Sequence, residues 1–454
     1  MQQPQGYRHH AKRVLTLGLP LIGSHLAQFA VTLSDAVMLG WYSVEALAAE
    51  VLGGTLWFVL FIVGSGFAFA VMPMVAAAYE MGDETQVRRV TRMGLWASTL
   101  FGLAVLPLAI WSEALFLWLG QDADTSALAA EYLTLVGWSI LPALLVMVLK
   151  SFLAALERTQ VVLWVTVASV LLNIAVNYLL IFGNWGFPEM GIRGAAIASL
   201  TVSTGSLVVL VIYIMRVTPE FSLFQRLWRP DWEALAQVFR VGWPIGLTNL
   251  CEVGLFAASS VMMGWLGTLP LAAHGAALQV TSAVFMVHMG LSNAATVRAA
   301  QAYERGDNRG LRDGAKVVIA MSIFTALMTV LAFLIFPEFL IGLFMHPGEA
   351  ERAAVIAIGV GLLAAAALFQ LVDAAQVMAL GLLRGLQDTK IPMIIAAISY
   401  WLIGVPASYL LGFTWGMGGV GIWLGLAIGL ALAGVLMMVR FWGWSVRVPT
   451  APQG

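Results

Sequence analysis

The chain has 454 residues, 61% of them hydrophobic and only 10% charged, with a formal net charge of −1 and a single cysteine, Cys251. Soluble domains carry roughly 25% charged residues, so this chain cannot cover a globular surface in water, and without a basic excess it has no footprint for nucleic acid. One cysteine excludes an internal disulfide framework and any cysteine-based metal cluster.

A membrane-spanning helix needs about 20 mostly apolar residues. The first such run, 14–40, is too long for a cleavable signal and lacks a small-residue cleavage site, so no signal peptide is expected. Runs at 46–75, 93–111, 128–150, 161–183 and 194–215 follow. A polar stretch at 217–234, with Pro219, Arg226, Arg229, Pro230 and Asp231, is read as a linker. Beyond it lie 235–265, 271–297, 315–337, 353–383, 391–412 and 418–440. None alternates polar and apolar residues as a barrel strand would. The fold class is an all-α polytopic membrane protein with twelve transmembrane helices.

Basic residues orient the spans. With the amino terminus inside, 21 of the 23 Lys and Arg fall on the inner side, from Arg8 to Arg447, and only Arg193 and Arg352 fall outside. Outer loops hold acids instead: Glu45, Glu113, Asp122, Asp124, Glu131, Glu338 and Glu349. One miscounted span would invert half of this pattern. Both termini are therefore expected in the cytoplasm.

The spans form two copies of one unit. Residues 18–83 align without gaps on 242–307, an offset of 224, with about twenty of 66 positions identical. Gly18-Leu19-Pro20 meets Gly242-Trp243-Pro244, Val37-Met38-Leu39-Gly40-Trp41 meets Val261-Met262-Met263-Gly264-Trp265, and Tyr79-Glu80-Met81-Gly82-Asp83 meets Tyr303-Glu304-Arg305-Gly306-Asp307. Leu156-Glu157-Arg158-Thr159 pairs more loosely with Leu386-Gln387-Asp388-Thr389. Shared Leu and Ala content does not produce such motifs in one register. Each copy holds six spans, an even number, so the copies are parallel repeats, as in many secondary transporters. Two six-helix lobes, 1–216 and 235–454, are expected, with a cleft between them that opens alternately to each side.

Most ionisable residues lie in loops or at span ends, and three acids remain deep inside spans: Asp35, Glu252 and Asp373. Each costs roughly 2.5–3.5 kcal/mol at mid-membrane on insertion scales. One alone is explained by a packing hydrogen bond; three together read as sites for coupling ions. Glu252 is about 17 residues into its span and Asp373 about 20 into its own, both near the midplane at 1.5 Å per residue. Asn173 and Asn177, four apart on one face, match the depth of Asp35, as does Thr201, so these four form a second oxygen-rich site. Oxygen ligands suit a hard cation or a proton relay. His25, His274 and His288 fit hydrogen-bonded packing first, but His274 is kept as a supporting coupling residue because histidine titrates near neutrality. No Gly-x-x-x-x-Gly-Lys-Ser/Thr motif occurs, so ATP is not expected to drive transport.

Leu17-Gly18-Leu19-Pro20, the segment Leu33 to Gly40, Leu172 to Tyr178, Pro244 to Glu252, Leu271-Ala272-Ala273-His274, Phe369 to Val377 with Leu383-Arg384-Gly385, and Tyr400-Trp401 together resemble the multidrug and toxic compound extrusion family in its NorM-type branch. The resemblance implies a twelve-helix, V-shaped, two-lobed antiporter. It would be a monomer in the bacterial inner membrane that exports cationic amphiphilic drugs or toxins in exchange for Na⁺ or H⁺, with no cofactor. It implies a cation site, including one for Na⁺, at Glu252 and Asp373, and a first-lobe acid at Asp35 with Asn173 and Asn177 beside it. Phe369 stands where NorM-type proteins often have Tyr, and Gln279 where Asn is usual. The lost hydroxyl tilts the expectation toward H⁺, which needs one carboxyl where Na⁺ needs several oxygens. Two alternatives are a lipid-linked saccharide flippase of the same superfamily and a polytopic membrane enzyme. The flippase is disfavoured because no basic residue is placed deep in a span, the enzyme because no catalytic cluster is found.

Overall fold

The computed structural model describes residues 6–446 apart from 346, 347 and 349. Glu349 and Arg447, counted in the charge pattern above, lie outside the described residues. Among the described residues, twelve helices are long and apolar enough to cross a membrane, one on each predicted run. They are α1 (Tyr7–Tyr42), α2 (Val44–Glu80), α3 (Glu84–Ile110), α4 (Ala123–Ala155), α5 (Thr159–Leu180) and α6 (Ile192–Val217). The second copy supplies α7 (Trp232–Leu266), α8 (Thr268–Glu304), α9 (Asn308–Ile335), α10 (Arg352–Gly385), α11 (Lys390–Thr414) and α12 (Gly418–Arg440). Even the shortest, α5 at 22 residues, reaches about 33 Å, past the roughly 30 Å hydrocarbon core. Helices are required there because lipid offers the backbone no hydrogen-bond partner.

The repeated motifs are turns. In both Tyr-Glu-x-Gly-Asp copies the glycine is left-handed, Gly82 at φ +70° and Gly306 at φ +67°. Gly82 N bonds Tyr79 O and Asp83 N bonds Ala78 O, and Gly306 and Asp307 repeat the pattern on Tyr303 and Ala302. This closes one helix by paired bonds to its last carbonyls. The aspartate then opens the next helix: Asp83 Oδ1 accepts from Gln86 N at 2.9 Å, and Asp307 Oδ1 from Gly310 N at 2.7 Å. The looser match is also a shared turn, with Glu157 at φ 60° and Gln387 at φ 57°.

The chain forms two compact units, residues 23–246 (the N-unit) and residues 1–22 with 247–454 (the C-unit). Compactness thus divides the chain two residues beyond Pro20 and Pro244, inside α1 and α7, and not at 217–234. That polar stretch is strapped to α3 of the N-unit. Arg92 donates to Leu223 O at 2.7 Å and Ser222 O at 2.6 Å, and Trp96 Nε1 donates to Leu227 O at 2.6 Å. Arg89 bonds Asp231 at 2.5 Å and Glu233 at 2.8 Å, and its guanidinium holds the Asp231 carboxyl below the usual range.

Glycines set the closest crossings. A Cβ on Gly66 of α2 would lie 2.4 Å from Gly242 O and from Gly246 N of α7. Its repeat partner Gly290 of α8 meets α1 in the C-unit, where a Cβ would lie 2.5 Å from Ile22 N. Backbone cannot yield as a side-chain tip can. Gly66→Ala should therefore lower stability by roughly 1–3 kcal/mol, the usual cost of overpacking. Gly275→Ala, with open space at its Cβ, should be neutral or slightly stabilising. Thermal unfolding of both variants in detergent checks this, and equal melting temperatures would refute it.

Candidate functional site

Each unit encloses a polar cluster. In the N-unit, Asn173 and Asn177 on α5 both donate to Asp35 Oδ1 of α1, at 3.0 and 2.5 Å. Asn177 Nδ2 also lies 3.2 Å from Asn173 Oδ1, and Ser34 Oγ donates to that oxygen at 2.8 Å. Both asparagines are fully buried and Asp35 is 8% exposed. Asn177 Oδ1 is buried without a donor. The spacing of four that put both amides on one face therefore delivers both to one carboxylate.

In the C-unit, Glu252 of α7 and Asp373 of α10 are buried close enough for their charges to interact. Asp373 Oδ1 has no hydrogen-bond donor, and neither does Gln376 Oε1 or Gln370 Oε1, while Gln370 Nε2 has no acceptor. Gln370, Asp373 and Gln376 are three apart in turn and share one face of α10. Gln376 Nε2 donates to Tyr400 Oη at 2.6 Å. Tyr400 sits in a π-helical stretch of α11, Ile398–Gly404, a wide-turn register often found at functional sites. Arg384 Nη2 donates to Asn249 Oδ1 at 2.8 Å, and its charge acts on Glu252. Two carboxylates and one guanidinium, all ionised, leave one net negative charge. Orphaned acceptors with that charge suit one monovalent cation, because a buried charge is costly until it is neutralised.

The other sequence candidates fall elsewhere. Thr201 does not join Asp35: its side chain is exposed and its hydroxyl donates to Ile197 O at 2.7 Å, one turn back on its own helix. Depth matched, but the helix face did not. Gln279 is exposed and hydrogen-bonds to neither acid. His274 is bonded on both sides, accepting from Trp423 Nε1 at Nδ1 (3.1 Å) and meeting Ser260 Oγ at Nε2 (3.1 Å). Indole only donates, so a neutral His274 carries its proton on Nε2, and the ring works as packing. Trp423 in turn stacks edge-on against Phe369, which also meets Phe256. His288 pairs with Ser322 at 3.0 Å.

Three features escaped the sequence. Glu50 of α2 has a charge that acts on Asp35, and Tyr132 of α4 feels both acids. The expectation of no deep basic residue is overturned by Arg384 and Lys150, whose long stems carry charges inward from near helix ends. Residue position alone misses such reach. Arg384 is answered by Glu252, so these two side chains still fall short of the cluster a pyrophosphate headgroup requires.

The MatE family model matches residues 20–179 and 244–410. The two intervals begin at Pro20 and Pro244, 224 residues apart, which is the repeat offset. The chain is 44% identical to a probable multidrug resistance protein NorM of Rhizobium meliloti, covering 99% of this chain and 97% of that one. It is also 44% identical to a probable multidrug resistance protein NorM of Agrobacterium fabrum, covering 95% and 93%. Among solved structures, an outward-facing multidrug resistance MATE family transporter of the MOP superfamily superposes with a TM-score of 0.87 at 18% identity, over 99% of this chain and 100% of that one. A eukaryotic MATE transporter gives 0.86 at 19%, over 98% of each. At such identities the structures speak for the fold alone.

Removing one donor should separate the N-unit residues that work together from the one that does not. Asn177→Leu should slow coupled transport by about tenfold, the order of a lost hydrogen bond to a charged group. Thr201→Val should leave it within twofold. Initial efflux rates in reconstituted vesicles decide, and a Thr201 effect as large as that of Asn177 would contradict the geometry.

Proposed function

Because the chain belongs to the MatE family, the multidrug and toxic compound extrusion transporters that its motifs resemble, we propose that it is a multidrug efflux antiporter. It exports cationic amphiphiles by alternating access in exchange for a monovalent cation. It is a transporter and not an enzyme. The observation that carries the coupling assignment is the buried pair Glu252 and Asp373, with an orphaned carboxylate oxygen and one net negative charge. The binding of one cation neutralises the pair, and so ties cation entry to the conformational state. Asp35, with Asn173 and Asn177, is the second coupling acid.

H⁺ is the coupling ion in this reading. A proton needs only one carboxyl, and Phe369 packs against Phe256 and Trp423 where a hydroxyl would give Na⁺ a ligand. The orphaned oxygens of Gln370 and Gln376 favour Na⁺ as the second reading, since that ion requires several oxygens to replace its water. The protein works as a monomer in the bacterial inner membrane with both termini in the cytoplasm, a placement supported by the basic residues.

Glu252→Gln and Asp373→Asn should each cut ion-driven efflux at least tenfold while leaving folding intact, because each keeps shape and removes charge. Efflux from vesicles under separately imposed gradients checks both parts. Wild-type rates in both variants would sink the coupling assignment. Transport driven by Na⁺ alone at clamped pH would replace H⁺ with Na⁺. For topology, Gly454→Cys in a Cys251→Ala background should resist a membrane-impermeant thiol reagent in intact cells; labelling would place that terminus outside.

A further inference from the structure

Lys150 has no part in either acidic cluster. It lies five residues before the end of α4 at Ala155, about 8 Å along the axis. A lysine there ordinarily bends its ammonium outward to the headgroups. Helical side chains lean toward the helix amino terminus, and Lys150 follows that lean into the span. Its Nζ donates to Thr166 Oγ1 of α5 at 2.8 Å. Thr166 is fully buried, donates to Val162 O at 2.7 Å and lies 2.9 Å from the buried Ser24 Oγ of α1. Gly23 permits this approach, since a Cβ there would lie 2.7 Å from Leu163 Cδ1.

Among the described residues no acid pairs with Lys150. The charge that acts with it across the cluster is that of His25, of like sign when protonated. An ammonium carries three donors, and one is engaged here. An intramembrane ammonium without a counter-charge is costly and points to a function. In a transporter for cations its sign is opposite to that of the coupling acids, so it does not serve the same group.

We propose that Lys150, positioned by Thr166 and Ser24, is a subsite for the carboxylate of a zwitterionic amphiphile. This deepens, and rests on, the efflux reading above. One ammonium with two donors still to place matches a monoanion. A dianionic phosphate calls for more charge and for the forked donors of arginine. Because the ammonium leans away from the near end of α4, the carboxylate is assigned to a substrate and not to a lipid headgroup. Lys150 then favours amphiphiles whose carboxylate accompanies their cationic group, and disfavours those carrying positive charge alone.

A matched pair of probes tests this: a xanthene dye with a free carboxylate and the methyl ester of the same dye. Transport of both is measured in vesicles with the full chain as wild type, Lys150→Gln, Lys150→Arg and Thr166→Val. The KM of the acid relative to the ester should rise about tenfold in Lys150→Gln, the order of one charge-assisted hydrogen bond. It should return toward wild type in Lys150→Arg and rise a few-fold in Thr166→Val. An unchanged ratio in Lys150→Gln, or equal weakening of both dyes, overturns the subsite and leaves a structural lysine. A shift that disappears in vesicles of phosphatidylcholine alone assigns the contact to anionic lipid and overturns it too. If Lys150→Gln does not fold, Thr166→Val and Lys150→Arg carry the decision by the same ratio. Failure of the wild type to move even the ester would instead sink the efflux reading.

Discussion

The constraint beneath this fold is that helices in hydrocarbon gain nothing from hiding apolar surface, since the lipid is as apolar as they are. Association then rests on close contact, and close contact rests on residues without side chains. Gly66 lets α2 lie against the backbone of α7, and Gly290 lets α8 lie against that of α1. These are the same position in the two sequence copies. Each unit thereby includes a helix segment drawn from the other copy.

Duplication kept the contacts and changed their chemistry. Asp35 and Glu50 act on one another by charge in the N-unit. Their repeat counterparts, Ser259 and His274, also lie side by side, 3.4 Å apart, as a neutral pair. Conversely, Glu252 stands where the first copy has Gln28. The scaffold therefore brings the same two positions together in both halves, while the acids have moved to different places on it. Two polar clusters of unlike composition follow from one architecture: one built from a carboxylate under two amides, the other from two carboxylates whose charges act with a guanidinium.

The helices were legible because hydropathy over twenty residues is a strong signal and lipid admits few alternatives. The motifs of the repeat were legible as identities, but the paired left-handed turns at Glu157 and Gln387 were not, since neither residue advertises positive φ. Glu252 and Asp373 stood out because acids are rare in spans. Asn173 and Asn177 were placed well because a spacing of four fixes a face. Thr201 was misplaced because depth along one helix says nothing about which way that helix is turned. Glu50 was passed over near the start of its apolar run, and the reach of Arg384 and Lys150 was missed because sequence position locates a Cα and not the end of a long side chain.

The exchange of segments between the copies bears on how the protein is made. A ribosome releases residues 23–246 as an unbroken stretch, so the N-unit has its full complement once α7 has begun to emerge. The C-unit is different, because its first piece, residues 1–22, is synthesised before anything it packs against. That segment must wait, already inserted, through more than two hundred residues of further synthesis, until α8 supplies Gly290 and the surface on which Ile22 comes to rest. Assembly of the second half is therefore bound to the survival of the first stretch of chain, and a protein cut into its two sequence repeats would leave each half short of a piece held by the other.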